Sequence, residues 1–135
     1  MIPRTMKAVL LKGHGGLEQL EYRDDVPVPT PAAGEIQVKI GAAAVNNTDI
    51  NTRIGWYSKS VATATADAVV QTANEATDGG WAGNPFVFPR IQGTDVCGRI
   101  VAVGAGVSQA RIGERVLVDP VLRPADDSFE NVGYV

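Results

Sequence analysis

The sequence contains one cysteine, Cys97, and one histidine, His14, and these are its only thiol and imidazole groups. A disulfide within the chain and a four-cysteine zinc site are therefore excluded, and a catalytic zinc would need a ligand set rich in carboxylates. Cys97 stands in an apolar, strand-like run, where we interpret it as a small buried apolar group. His14 is flanked by Gly13, Gly15 and Gly16 and is interpreted as a turn residue. We expect no metal site.

Gly104 and Gly106 follow a hydrophobic run and begin like the dinucleotide-binding fingerprint, whose glycines let the backbone approach a pyrophosphate. Gln109 stands where the third glycine of that fingerprint is required, and the residues after it have turn and strand character. No alternation of strands and helices surrounds the motif. We interpret it as a turn between two strands, so that the chain carries no Rossmann domain of its own.

The length of 135 residues suits one domain with one core, and 44% hydrophobic with 20% charged residues is typical of a globular protein. A net charge of −3 without a dense basic cluster argues against nucleic-acid binding. The sequence has neither a run of eighteen apolar residues nor a secretory signal pattern. We therefore expect a cytoplasmic protein that does not associate with membranes.

Branched apolar residues, alternation and glycine or proline turns predict a mainly β structure. The prolines of residues 26–31 must run along an edge or the surface, because proline has no backbone donor. Strands at such close spacing predict a sandwich or a partly open barrel. The predicted strands are Met6–Lys12, Leu17–Tyr22, Glu35–Val45, Val96–Val103 and Arg115–Val118.

Two segments have helical character. Asn47 or Thr48 is expected to cap a short helical turn over residues 49–54, which Gly55 ends. Between residues 58 and 78, apolar positions that are mostly alanine recur at helical spacing and predict a lightly packed peripheral helix or lid. The stretches expected to be an irregular loop and a loop or frayed terminus are 81–89 and 120–135.

Five segments, read in order, resemble the N-terminal half of the medium-chain dehydrogenase/reductase family. The resemblance covers roughly residues 6–120 and implies a GroES-like fold, which is a mainly β, partly open β-barrel with one or two short helices. It implies one GroES-like domain over residues 1–135, with an Ala/Thr-rich insertion at about 58–88, and a Rossmann half that is missing from this chain. The five segments are Met6–Val9, Pro31–Lys39, Val45–Asp49, Gly93–Gly98 and Val103–Val107.

The zinc alcohol dehydrogenases of this family would place a ligand cysteine where Asn46 stands and a ligand histidine where Thr94 stands. The cysteine-rich loop that binds a structural zinc in those enzymes is also missing after residue 120. Three segments are instead similar to the zinc-independent quinone oxidoreductase and enoyl reductase branch. They are residues 46–49, 93–95 and Arg53–Tyr57. The resemblance therefore implies an NAD(P)H-dependent, zinc-independent oxidoreductase.

The chemistry of the substrate agrees with that branch. Without a Lewis acid, a localised alkoxide is poorly stabilised, whereas hydride addition to a quinone or an α,β-unsaturated carbonyl gives a delocalised oxyanion that neutral donors can stabilise. By resemblance, Asn46 would donate to the substrate oxygen or to the nicotinamide ribose, and Tyr57 would donate to the acceptor or stack on it. Thr48 would relay protons and Asn47 would contact cofactor phosphate. Capping by Asn46 or Thr48, and a half-buried wall position for Tyr57, are the structural alternatives.

The implied cofactor of the complete enzyme is NADPH or NADH, bound in part by Asn46, Asn47 and Thr48. The implied substrate is a small carbonyl compound or quinone. We expect the isolated chain to be inactive without the nucleotide-binding half, and to form a homo-oligomer through apolar surface that this half would cover. The alternatives are a non-catalytic GroES-like module that binds a ligand or a protein, and an atypical zinc-type alcohol dehydrogenase fragment. Asp49 and Asp95 are assigned to local hydrogen bonding.

Overall fold

The computed structural model describes residues 1–58, 86–119, 121–122 and 130–131. Their backbone is mainly β, with one α-helix, α1 (Asn47–Arg53), and short 3-10 turns at Leu17–Gln19 and Gln109–Arg111. The predicted fold class, a mainly β GroES-like barrel with one or two short helices, is confirmed. The strands are β1 (Thr5–Leu11), β2 (Leu20–Pro27), β3 (Ile36–Ala43), β4 (Arg90–Ile91), β5 (Val96–Val103), β6 (Arg115–Leu117), β7 (Val121–Leu122) and β8 (Glu130–Asn131). The helix predicted over 58–78 and nearly all of the insertion lie outside the described residues.

The chain divides into two compact units. The first comprises Met1–Met6, Asp25–Val45 and Gly93–Val135, and the second comprises Lys7–Asp24 and Asn46–Gln92. In the described part of the chain, no helix has the length and apolar character needed to cross a membrane.

The first unit is built on the antiparallel sheet β3-β5-β6. β3 and β5 pair from Ile36 opposite Val103 to Ala43 opposite Val96, with irregularities between Gln37 and Val38 and between Ile40 and Ala42. Burial in this pair is deepest at Ile100 on β5, which is 1% exposed, whereas Ile40 on β3 is 58% exposed. The strands predicted over 35–45, 96–103 and 115–118 are therefore confirmed to within two residues at each end.

The turn after β5 shows why glycine is needed there. The Gly104 N–H donates to the Glu35 carbonyl at 2.8 Å, and the Gly34 N–H donates to the Ala105 carbonyl at 2.8 Å. A Cβ on Gly104 would overlap the carbonyl of Ala32. Since a 3-10 turn and then β6 follow, the interpretation of this motif as a turn between strands is confirmed.

The second unit contains the pairing of β1 with β4, within a sheet of order β2-β1-β4. Leu10 lies opposite Ile91 and Leu11 opposite Arg90. Leu11 and Ile54 are 0% and 1% exposed and form the apolar centre of this unit.

Three expectations need correction. The strand predicted at Leu17–Tyr22 begins as a 3-10 turn, because the Glu18 carboxylate accepts the Gly16 N–H at 2.8 Å and turns the backbone; β2 starts later and continues to Pro27. Residues 120–135, expected to be a loop, include the paired strands β7 and β8. Cys97 is half-buried rather than buried, because its cross-strand neighbour Leu117 on the same face is 84% exposed.

The contact at Gly104 predicts the effect of a single methyl group. We expect Gly104→Ala to lower the free energy of unfolding by about 1–3 kcal/mol, because the Ala32 carbonyl must move. Gly41→Ala is the matched control, since a Cβ there meets only ordinary contacts, at 3.8 Å and beyond. In Gly41→Ala the free energy of unfolding should stay unchanged or rise by up to about 1 kcal/mol. Urea unfolding of both variants checks the prediction, and equal stabilities would contradict it.

Candidate functional site

The start of α1 is fixed by a reciprocal pair of side-chain contacts. Asn46 is the N-cap, with extended backbone angles of φ −103° and ψ 162°, and its Oδ1 accepts the Thr48 N–H at 3.3 Å. In return the Asp49 carboxylate accepts the Asn46 N–H at 2.7 Å, which completes a capping box. The cap predicted at Asn47 or Thr48 is therefore wrong by one or two residues, since both residues lie inside the first helical turn, whereas the alternative of capping by Asn46 is confirmed. Asp49 has the local role predicted for it.

The end of α1 is equally well defined. Gly55 has φ 70°, and its N–H donates to the Thr52 carbonyl at 3.2 Å, while the Trp56 N–H donates to the Asn51 carbonyl at 2.9 Å. These two bonds make a Schellman turn, which closes a helix and sets the direction of the chain that leaves it. Tyr57 follows Trp56 and is the first residue after this turn.

The glycine-rich turn over residues 13–16 is bound to this same end of α1. His14 is 8% exposed, and its Nδ1 lies 2.8 Å from the Thr52 carbonyl. The Gly15 N–H donates to the Arg53 carbonyl at 2.8 Å, and the Arg53 guanidinium donates to the Gly15 carbonyl at 2.6 Å. Three hydrogen bonds thus join two segments that lie 38 residues apart in sequence.

Aromatic rings surround the His14 imidazole. Its centroid lies 5.1 Å from that of Phe88 in an edge-to-face arrangement and 6.1 Å from that of Phe86. The Arg90 guanidinium lies over the Phe86 ring at 4.4 Å. Cation–π and edge-to-face contacts of this kind favour a rigid arrangement.

Buried polar groups line α1. Gln92 donates through Nε2 to the Asp49 carbonyl at 3.2 Å, one helical turn before the carbonyl bound by His14. Asn51 and Thr52 are 6% and 7% exposed. Within the described ranges, His14 Nε2, Asn51 Oδ1 and Gln92 Oε1 are buried without a hydrogen-bond partner.

Charges at the ends of α1 match its dipole, with Asp49 in the first turn and Arg53 in the last. Beside the glycine-rich turn, hydrogen bonds from the backbone N–H groups of Glu18 itself and of Gly16 lower the pKa of the Glu18 carboxyl. Favourable charges at both ends and a preorganised turn stabilise the local backbone without burying a charge.

The structure brings three of the four predicted site residues together. Asn46, Asn47 and Thr48 occupy consecutive positions at the start of α1. Tyr57 lies beyond the other end, half-buried, with its ring edge-to-face with Trp56 at a centroid distance of 5.6 Å. The seven residues of the helix correspond to a length of about 10 Å.

Asn46 and Thr94, the positions at which the resemblance implies zinc ligands in alcohol dehydrogenases, carry no thiolate, imidazole or carboxylate. Asn46 offers an amide, whose oxygen already accepts the Thr48 N–H, and Thr94 offers a hydroxyl. Catalytic zinc is bound mainly by thiolate, imidazole and carboxylate groups. Among the residues that the structure describes, no group of three or more His, Cys, Asp or Glu side chains could hold a metal ion.

Sequence reasoning placed His14 in a turn but missed its contact with α1. A single histidine among glycines carries no periodic signal, and its partner is a backbone carbonyl 38 residues away. The two hydrogen bonds between Arg53 and Gly15 were missed for the same reason.

Residues 32–132 match the family model of the alcohol dehydrogenase GroES-like domain. The quinone oxidoreductase of Rattus norvegicus is 30% identical over 113 residues, which are 84% of this chain and 27% of the relative. The chain spans about a quarter of the length of the curated relatives it matches.

Two solved structures share the fold. A candidate alcohol dehydrogenase of Sinorhizobium meliloti 1021 is 47% identical with a TM-score of 0.77, over 98% of this chain and 35% of that one. The alcohol dehydrogenase RspB of Escherichia coli CFT073, solved with its cofactor NADH, is 30% identical with a TM-score of 0.60, over 89% of this chain and 26% of that one.

The capping box predicts how position 46 affects stability. We expect Asn46→Ala to lower the free energy of unfolding by about 0.5–2 kcal/mol, because the Thr48 N–H loses its side-chain acceptor. Asn46→Ser keeps a capping oxygen and should stay close to the original stability. Urea unfolding of the two variants tests this expectation, and equal losses would show that the cap contributes nothing.

Proposed function

Because the chain belongs to the alcohol dehydrogenase GroES-like domain family, we propose that it is the substrate-side domain of an NAD(P)H-dependent oxidoreductase that reduces a quinone or an α,β-unsaturated carbonyl without zinc. The GroES-like domain extends over residues 1–135 with an insertion at about 58–88, and a separate Rossmann half completes the enzyme. The carboxamide of Asn46 at the N-cap of α1 carries this proposal, because it is a neutral donor at the position where the resemblance implies a zinc-ligand cysteine in the zinc-dependent branch.

The cap determines how the Asn46 side chain is used. Its Oδ1 accepts the Thr48 N–H, and this bond fixes the orientation of the amide, whose second terminal atom is Nδ2. Nδ2 has two hydrogens and donates to the substrate oxygen or to the nicotinamide ribose. The donor is held in place before the substrate arrives, which is the condition under which a neutral group stabilises developing negative charge.

The start of α1 forms the cofactor side of the proposed site. When bound, the nicotinamide supplies a hydride to the acceptor. Asn47 contacts cofactor phosphate, and the half-buried Thr48 hydroxyl relays a proton to the reduced acceptor. Together with Asn46, these residues place amide and hydroxyl donors within a single helical turn.

Tyr57 forms the acceptor side. The seven residues of α1, about 10 Å of helix, and the turn at Gly55 stand between Asn46 and Tyr57 in the chain, and we assign the two residues different tasks. A half-buried phenol with an apolar ring and a polar tip suits a conjugated acceptor, on which it stacks or to which it donates. Trp56, edge-to-face with Tyr57, restricts the orientation of this ring.

The proposed donor set also favours one substrate class over another. Oxidation of a simple alcohol requires stabilisation of a localised alkoxide, for which these amide, hydroxyl and phenol groups are poor substitutes for a metal ion. A quinone or a conjugated carbonyl spreads the charge over several atoms, and hydrogen bonds from neutral donors are then sufficient. The quinone oxidoreductase among the relatives supports this substrate class. The NADH-bound RspB structure supports the nicotinamide cofactor, and the alcohol dehydrogenase names of the two solved structures are the ground for the zinc-type alternative.

The isolated chain should not oxidise NADPH in the presence of a naphthoquinone, because cofactor binding needs the nucleotide-binding half. Loss of the near-ultraviolet absorbance of NADPH as it is oxidised measures turnover. The positive control is the complete gene product, by which we mean the enzyme that contains both this domain and the Rossmann half. Robust turnover by residues 1–135 alone would show that the second half is not required.

In the complete gene product, Asn46→Ser should lower kcat for the quinone at least about tenfold, a loss of about 1.4 kcal/mol of transition-state stabilisation. Serine keeps the cap but removes the amide donor, so this variant separates chemistry from folding; Asn46→Ala should lose both. Unchanged kinetics in Asn46→Ser would remove the amide from the mechanism. Activity that a chelator abolishes and zinc restores would favour the zinc-type alternative, and ligand binding without turnover by the complete protein would favour a non-catalytic module.

A further inference from the structure

We propose that His14 is a positioning residue: its Nδ1–H holds the Schellman turn at the end of α1 and thereby fixes the direction of Tyr57. The structural part of this inference depends only on the second unit. Its consequence for the acceptor rests on the proposed function, in which Tyr57 contacts the quinone or conjugated carbonyl.

A single carbonyl oxygen connects His14 to the turn. The Thr52 carbonyl accepts the Gly55 N–H at 3.2 Å, which is one of the two bonds of the Schellman turn, and lies 2.8 Å from His14 Nδ1. The bond from His14, the shorter of the two, therefore holds in place the Thr52 carbonyl that the Gly55 N–H needs as its acceptor. Ile54, between these two residues, is 1% exposed, so the turn cannot shift outward without exposing an apolar side chain.

The partner of Nδ1 also fixes the tautomer of the imidazole. A carbonyl oxygen only accepts, so Nδ1 must carry the hydrogen, and in the neutral ring Nε2 then has none. Nε2 is buried and has no hydrogen-bond partner in the described part of the chain. The rings of Phe86 and Phe88 beside it hold the imidazole in one orientation.

The glycine-rich turn has a second attachment that does not involve the imidazole. Gly15 and Arg53 exchange two hydrogen bonds, at 2.8 and 2.6 Å. Replacing the His14 ring therefore leaves the turn joined to α1, and the losses are the bond to the Thr52 carbonyl and the ring contacts with Phe86 and Phe88, which two amide replacements lose alike. This makes the role of His14 separable from the general stability of the unit.

The side chains of asparagine and glutamine distinguish the two ring nitrogens. The amide nitrogen of asparagine reaches about as far as Nδ1, and that of glutamine about as far as Nε2. His14→Asn should therefore keep the donor to the Thr52 carbonyl, whereas His14→Gln should lose it. The two variants are matched controls for each other because both replace the ring with a neutral amide.

The first measurement needs no substitution. His14 is the only histidine of the chain, so a spectrum of the protein with ¹⁵N-labelled histidine and without a purification tag contains one imidazole. At mildly alkaline pH, long-range ¹H–¹⁵N correlations should show a hydrogen on Nδ1. A hydrogen on Nε2, or rapid averaging between the two tautomers, would overturn the proposal.

The second measurement uses the Tyr57 ring as the reporter, with Tyr57→Phe identifying its resonances. His14→Asn should leave these resonances near their original shifts, and His14→Gln should displace them while most other signals stay unchanged. Identical Tyr57 resonances in a folded His14→Gln chain would overturn the positioning role.

In the complete gene product, His14→Gln should raise KM for the quinone at least about fivefold, or about 1 kcal/mol. KM for NADPH should change less than twofold, and His14→Asn should restore the original quinone KM. A displaced Tyr57 ring with unchanged quinone KM would leave the positioning role standing and would overturn the proposed contact of Tyr57 with the acceptor. If His14→Gln and His14→Asn raised KM equally, and for NADPH as much as for the quinone, the specific role of Nδ1 would be overturned.

Discussion

α1 is only seven residues long, so the chemistry proposed for the site depends on how the two ends of this helix are held. An isolated helix of this length is unstable in water, because nucleation is costly and few internal hydrogen bonds repay it. Its terminal N–H and C=O groups must find partners outside the helix. The capping box at Asn46 and the Schellman turn at Gly55 supply them. Both ends therefore occupy defined positions, and the proposed site residues lie at those ends.

Position 46 shows how structure and proposed chemistry can share one side chain. A carboxamide has an acceptor and a donor on the same planar group, so its oxygen can close the helix while its nitrogen faces a ligand. The resemblance implies a zinc-ligand cysteine at this position in the zinc alcohol dehydrogenases, and a thiol lacks the amide's paired acceptor and donor. The capping role and the donor role, which were alternatives for the sequence, are therefore compatible in one residue.

The sequence predicted the elements with strong local signals and missed those that depend on distant partners. The alternation of Ile36, Val38 and Ile40 predicted β3 nearly to its ends. The helix was predicted, but its cap was misplaced among three residues that can all cap; the carboxylate of Asp49, three residues after Asn46, selects the first of them. The contact of His14 with Thr52 spans 38 residues and has no local signal, and strands as short as β7 and β8 have no period to detect.

A site that relies on neutral donors also depends on backbone geometry more strongly than a metal site does. A metal ion gathers its ligands and polarises a bound oxygen with its own charge, whereas a hydrogen bond weakens steeply when its angle or length is wrong. The donors must therefore be held within a few tenths of an ångström by the surrounding structure, roughly 0.5 Å. In this chain that support comes from backbone contacts at both ends of α1, including two bonds between Gly15 and Arg53. The glycine-rich turn is thus part of the support that the proposed metal-free site would require.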